Sequence, residues 1–207
     1  SKNRYYKVQG VVAVLGGTFD PIHLGHLQIA TEIIKQKAAD SVLFVPSGHH
    51  HFKKNTIILP YAKRYSLVEK AIKNNPKFDI SDADKEGSGY TADLMKKLFC
   101  LYPQVNFSFV IGSDNLPQLN KWYDYAYLAE NLHFFIFPRP GYPLLPQVIN
   151  QIKATILDIS PCPVSATEIR QRIFNGESIK GMVPEELEEE IVYLYQNKDN
   201  TKAKNPN

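Results

Sequence analysis

Six short apolar runs recur along this chain, and the segments between them carry helical spacing. The runs are Val11–Leu15, Val42–Pro46, Lys77–Ile80, Asn106–Ile111, Leu132–Phe137 and Thr155–Ile159. They are rich in Val, Ile and Phe and do not alternate cleanly, as expected of strands buried on both faces. The intervening patterns predict helices over Leu24–Lys37, Pro60–Asn74, Thr91–Tyr102, Tyr125–Asn131, Ala166–Asn175 and Pro184–Gln196. The last opens with Pro in its first turn and acidic residues at its amino end, where the helix dipole favours them. Such alternation predicts an α/β fold, a doubly wound parallel sheet in three α/β/α layers.

Composition narrows the class further. With 207 residues, 43% hydrophobic and 22% charged, the chain suits one globular domain, expected over residues 8–196, followed by a polar tail at 197–207 expected to fray. A net charge of +3, spread along the chain, lacks the basic stripe that a nucleic acid partner requires. No apolar run reaches membrane-spanning length, and SKNRYYKVQG lacks the apolar stretch of a signal peptide. Cys100 and Cys162 are isolated, which suits a reducing compartment and makes the cytoplasm the expected location.

In open parallel sheets ligands bind beyond the carboxyl ends of the strands. The unusual clusters of this sequence fall there: Gly16–His26, Ser47–Lys54, Gly87–Thr91, Gly112–Asp114, Pro138–Gly141 and Pro163–Arg170. In the first, GGTFDPIHLGH, paired glycines allow a sharp turn with exposed N–H groups, and a helix beginning near His23 adds its positive end. His23 and His26, three apart, can point to one side, donate to phosphate oxygens and, if protonated, offset developing charge. A glycine pair after a strand is common, and a His pair could instead be incidental or bind metal, although no partner at zinc spacing accompanies it. GxGxxG and the Walker loop are both absent.

The later clusters have chemistry of their own. Ser165 suits a helix N-cap, with Glu168 completing a capping box; Thr167 and Arg170, one turn apart at the helix amino end, can hold phosphates. Gly112 permits close approach of a ligand, and Asp114 can accept from ribose hydroxyls. Each has a plainer reading: Ser165 and Thr91 as simple caps, Trp122 as a half-buried core aromatic, Arg139 as a solvated turn residue.

GGTFDPIHLGH resembles the (H/T)xGH signature of the nucleotidyltransferase superfamily of Rossmann-like folds, and most closely that of the bacterial nicotinate mononucleotide adenylyltransferase family. PVSATEIR resembles that family's ISSTxIR, FVIGSDNLPQLNKW its IGxDxLxxLxxW, SGYTADLM its SYTxDTL and FPRPG its RPG turn, so the resemblance spans Val11 to about Gln196. It implies an enzyme that moves AMP from ATP onto nicotinate mononucleotide, with Mg²⁺ carried by ATP and no separate protein metal site. It implies catalytic roles for His26, His23, Lys53 and Arg170. Gly16, Gly17, Thr18, Phe19, Arg139, Ser165 and Thr167 would bind ATP. Tyr90, Thr91, Gly112, Asp114 and Trp122 would bind the acceptor, Trp122 by stacking and the Tyr90–Thr91 backbone by receiving the nicotinate carboxylate.

One stretch departs from the family pattern. Where the family has PSGxPPHK this chain reads PSGHHHFKK, with Lys53 at the expected lysine, Phe52 at the His place and His50 and His51 replacing two prolines. Adjacent His49, His50 and His51 could also bind a metal. Transfer to nicotinamide mononucleotide, a phosphopantetheine adenylyltransferase and a non-catalytic nucleotide-binding regulator are the rival readings; the expected partners are small molecules, with a homo-oligomer possible.

Overall fold

Six parallel strands in the order β3-β2-β1-β4-β5-β6 form the sheet in a computed structural model that describes residues 10–48, 57–160 and 162–196. The strands are β1 (Val11–Gly17), β2 (Ser41–Pro46), β3 (Phe78–Ile80), β4 (Asn106–Gly112), β5 (His133–Phe137) and β6 (Lys153–Ile156). The chain runs outward from β1 to β3, then returns to place β4 on the other side of β1. The β1/β4 junction is therefore the topological switch point, where such sheets open a crevice.

Alternate residues of β1 serve two cores, which explains why the run is apolar throughout. Ala13 and Leu15 join Val42 and Phe44 beneath α1 (Leu24–Lys35), α2 (Tyr61–Ile72) and the carboxyl-terminal helices. Val12 and Val14 join Leu43 and Val45 beneath α3 (Thr91–Leu101) and α4 (Tyr125–Asn131). A short α5 (Pro146–Ile149) precedes β6; α6 (Ala166–Phe174) and α7 (Glu188–Gln196) follow it.

Several expectations shift. The sixth strand pairs over Lys153–Ile156 rather than Thr155–Ile159, because β5 begins its ladder at His133, opposite Lys153. Leu157 and Ile159 then leave the sheet and remain buried, while Gln36 and Gln28 donate to the carbonyls of Asp158 and Ser160. The final helix begins as a 3-10 turn, Glu185–Leu187, capped by Pro184. DNLPQLNK was not expected to be helical; it forms a 3-10 segment, Ser113–Lys121, around Pro117. Among the described residues no helix is long and apolar enough to cross a membrane.

Candidate active site

A cleft of about 420 Å³ opens at the β1/β4 switch point. Gly16 of β1 and Gly112 of β4 form part of its floor, with Thr18, Phe19, His23 and His26 on the first loop and α1. Asp114 and Arg139 face it from the loops after β4 and β5, and Ser165, Thr167 and Arg170 from the start of α6. Segments distant in sequence thus converge on one cavity. Gly17, Tyr90, Thr91 and Trp122 lie outside its lining, and Lys53, with the His49–Phe52 departure, falls outside the described residues.

The glycine pair does not make the turn. Gly16 and Gly17 remain in the ladder, opposite Val45 and Pro46. The left-handed residue is Phe19, at φ 51°, a conformation disfavoured for a bulky side chain. Its ring, 2% exposed, packs edge-on against His26 with centroids 4.8 Å apart, and burial of that ring holds the backbone there.

The two histidines cap the helix they begin. His23 Nδ1 accepts from the Gly25 N–H at 3.0 Å, and His26 Nδ1 accepts from the His23 N–H at 3.1 Å, a capping box made of imidazoles. Their rings stack at 3.7 Å. The sequence suggested that open N–H groups of this helix would read the anion. Instead Leu24 N–H donates to the Met182 carbonyl and Gly25 N–H to His23. Because both Nδ1 atoms are acceptors, each neutral ring must carry its hydrogen on Nε2. Each ring therefore keeps an imidazole Nε2–H that can donate to an anion.

Both rings are neutral near pH 7. Burial, followed by the nearby Arg139 guanidinium, pulls His23 down from 6.5 to about 4. Burial, then His23 and Arg139, holds His26 well below its ordinary value. The unfolded chain therefore takes up protons below pH 6.5 that the folded protein refuses. Stability should be fully present above that pH and decline towards pH 4, by about 3 kcal/mol from His23 alone. Protonation at Nδ1 also removes the cap. Urea titrations at pH 7 and pH 4.5 check this, with His23→Gln expected to reduce the dependence and His26 to supply what remains.

Opposite the histidines, Asp114 Oδ2 lies 3.7 Å from Arg139 Nη1, whereas the buried Oδ1 has no hydrogen-bond partner. A buried unpaired carboxylate oxygen is an open acceptor, suited to a ligand hydroxyl. Fully buried Ser113 fixes the Arg139 loop, accepting from Arg139 N–H and donating to the Tyr142 carbonyl, both at 2.8 Å. At α6, Ser165 Oγ accepts from Glu168 N–H, but only this half of the expected capping box forms, since the Glu168 carboxylate faces Arg172 at 3.9 Å. Arg170 donates to the Asp20 carbonyl at 2.7 Å and to Thr167 Oγ1 at 3.3 Å.

Around Tyr90 the arrangement differs from the expected pair of open donors. Tyr90 N–H donates to Ser88 Oγ at 3.1 Å, and that hydroxyl donates to Asp93 at 2.7 Å. Gly89, the residue inserted relative to SYTxDTL, makes this possible with φ 83°. The Tyr90 ring stacks on Tyr123 at 4.7 Å, and Trp122 packs against the second core.

Arg64 and Tyr195 were missed from sequence, and Asp20, within the first motif, had no role assigned. Asp20 is buried in the first loop, and Arg64 and Tyr195 are buried against it. Arg64 did carry a signal: it lies on the apolar stripe of its helix, with Leu67, Val68 and Ile72.

Comparison with known proteins identifies the family and the fold. The cytidylyltransferase-like family model matches residues 14–172. A protein of Saccharopolyspora erythraea named "probable nicotinate-nucleotide adenylyltransferase" is 35% identical over 194 residues, covering 92% of each chain. One of Clostridium tetani with the same name is 37% identical over 183 residues, covering 84% of this chain and 92% of its own. The fold is also that of Plasmodium falciparum nicotinic acid mononucleotide adenylyltransferase complexed with NaAD, at a TM-score of 0.77 and 20% identity over 91% of this chain and 97% of that one. The chain is thus a nucleotidyltransferase of the cytidylyltransferase-like class and belongs to the nicotinate-nucleotide adenylyltransferase family.

Proposed function

We propose that this enzyme transfers AMP from ATP to nicotinate mononucleotide, forming nicotinate adenine dinucleotide and pyrophosphate in NAD biosynthesis. The observation that carries the reading is the stacked His23–His26 pair in the lining of the switch-point cleft, with each Nδ1 engaged as an acceptor so that each ring carries its hydrogen on Nε2. The relatives' names support the choice of substrates.

An oxygen of the acceptor's 5′-phosphate attacks the α-phosphorus of ATP, and the bond from that phosphorus to the bridging oxygen breaks, so pyrophosphate leaves with the electron pair. The nucleophile is already an anion, so no general base is needed; alignment and charge stabilisation suffice. His26 and His23 donate to the α-phosphate and departing oxygens as neutral imidazoles. Arg170, Thr167, Lys53 and the α6 amino end hold the β- and γ-phosphates, and Arg139 adds positive charge beside Asp114, which accepts from a ribose. Arg139, Arg170 and the imidazole N–H groups of the cleft suit phosphate oxygens, and Mg²⁺ would arrive on the triphosphate. That ion would supply charge neutralisation on the phosphates.

In this reading the nicotinate carboxylate is received by Thr91 N–H at the start of α3, and its access to Tyr90 N–H requires displacing Ser88 Oγ. The deciding experiment is pyrophosphate release with ATP and Mg²⁺, comparing nicotinate with nicotinamide mononucleotide. Preference for the nicotinate form is expected, and release with neither acceptor would reject the function. Ser88→Ala, by removing the acceptor now held by Tyr90 N–H, should raise the nicotinate-to-nicotinamide ratio of kcat/KM by about tenfold or more, the worth of one hydrogen bond to a charged group. An unchanged ratio would remove Tyr90 N–H from acceptor recognition.

A further inference from the structure

Beneath the first loop lies a polar knot to which the reaction above assigns nothing. Arg64, 1% exposed, donates through Nε to the Leu59 carbonyl at 3.0 Å and through Nη1 to the carbonyls of Thr18 and Ser47, both at 2.8 Å. One guanidinium thus ties the loop after β1 to the end of β2 and to the approach to α2. Asp20, 4% exposed, accepts from the N–H groups of Ile58 at 2.8 Å and Leu59 at 3.2 Å, and from the Tyr195 hydroxyl of α7. The carbonyl of the same Asp20 holds Arg170.

Burying a cation and an anion is costly, and well-packed apolar residues stabilise a core at least as well. What these groups provide that apolar residues cannot is direction. Each bond joins a backbone group of a segment that shapes the cleft, or α7, to the knot. Thr18 and Asp20 flank Phe19, whose ring rests on His26. A shift of the Thr18 carbonyl therefore moves the platform beneath His26, and a shift of the Asp20 carbonyl moves Arg170.

We propose that Arg64, Asp20 and Tyr195 are positioning residues: they lock the first loop and Arg170 in the arrangement that aligns the triphosphate, and they couple that alignment to the docking of α7. The proposal rests on the phosphate-binding reading of the cleft. Arg64→Lys keeps the charge and three donors but gathers them on one nitrogen without the planar fork, so it cannot stand in for both Nε and Nη1 of the guanidinium. Phenylalanine at position 195 keeps the packing and loses the hydroxyl.

The test compares the full chain with Arg64→Lys and Tyr195→Phe. It measures thermal melting, kcat, KM for each substrate and, separately from chemistry, the Kd of a fluorescent ATP analogue. Arg64→Lys is expected to lower kcat per folded molecule by about 10²-fold, the effect of an ångström-scale misalignment, and to weaken the analogue, with the acceptor KM within about twofold. Tyr195→Phe is expected to lower kcat by about three- to tenfold with a melting temperature within a few degrees of the parent. Reduced melting temperatures with unchanged kcat and analogue affinity would make the knot purely structural and overturn the proposal. If Arg64→Lys does not fold, Tyr195→Phe decides on the same two outcomes. If the parent binds the analogue but releases no pyrophosphate, the proposed reaction fails, while analogue affinity still decides the positioning role.

Discussion

His26→Ala should lower kcat by about 10²- to 10³-fold, the usual loss when one well-placed donor to a developing oxyanion is removed. The protein should still fold. The substitution removes the acceptor that caps His23 N–H and a stacked ring, costing about 1 kcal/mol as helix caps do, but it places a strong helix former in α1. The two ring nitrogens have separate duties, so two further variants separate them. Glutamine, longer, can place an amide N–H near the position of Nε2; asparagine, shorter, can supply an acceptor near that of Nδ1. His26→Gln should therefore recover part of the turnover, and His26→Asn should recover stability without turnover. The glutamine result is the sharper one, because it asks whether a neutral donor suffices, as burial of the ring requires. Steady-state kinetics with melting curves on the three variants check it. Near-normal turnover in His26→Ala would remove this residue from the chemistry.

How legible these features were in the sequence depends on whether local chemistry or long-range packing set them. β1 and β2 were readable because a strand buried on both faces must be apolar at every position, and Val12–Leu15 and Val42–Val45 satisfy two cores at once. The sixth strand was misplaced because Leu157 and Ile159 are as apolar as a strand requires; only the pairing of β5 tells the ladder from the buried coil beyond it. The 3-10 segment was hidden by Pro117, which lies inside it and reads as a helix breaker.

The site divides in the same way. Residues on the loops after β1, β4 and β5 and at the start of α6 converged on the cleft, because the topology of a parallel sheet sends those loops to one edge, whereas Tyr90, Thr91 and Trp122 lie outside its lining. The tautomers of His23 and His26 could not be read from spacing alone; they follow from which backbone N–H each ring accepts. Three-residue spacing suggested a shared face and stopped there. Arg64 illustrates the opposite failure: its place on an apolar stripe marked it as a buried cation, but its three carbonyl partners come from positions 18, 47 and 59 and become neighbours only in the fold.

Gly112→Ala should damage function far more than stability, and the reason lies in what the added methyl would meet. A Cβ built at this position falls 2.4 Å from Asp114 Oδ1, 2.9 Å from Arg139 Cδ and 3.0 Å from Phe137 Cε2. The first two contacts are too close to survive, but both atoms belong to side chains that can rotate away, so the backbone of β4 need not move. Those two side chains are the ones facing the cleft across the floor that Gly112 forms. The methyl therefore displaces the unpaired acceptor of Asp114 and the guanidinium beside it, while the buried ring of Phe137 yields by a few tenths of an ångström. Overpacking of this limited kind costs about 1 kcal/mol in stability. Loss of placement for two charged groups should lower kcat/KM by about 10²-fold, with KM rising for the substrate whose ribose Asp114 holds. Asp114→Asn separates the contributions, since it keeps an acceptor and removes the charge next to Arg139. If Gly112→Ala retains parental kcat/KM with both substrates, then neither Asp114 nor Arg139 holds a ligand in the position that the open acceptor suggests, and the ribose must be bound elsewhere in the cleft.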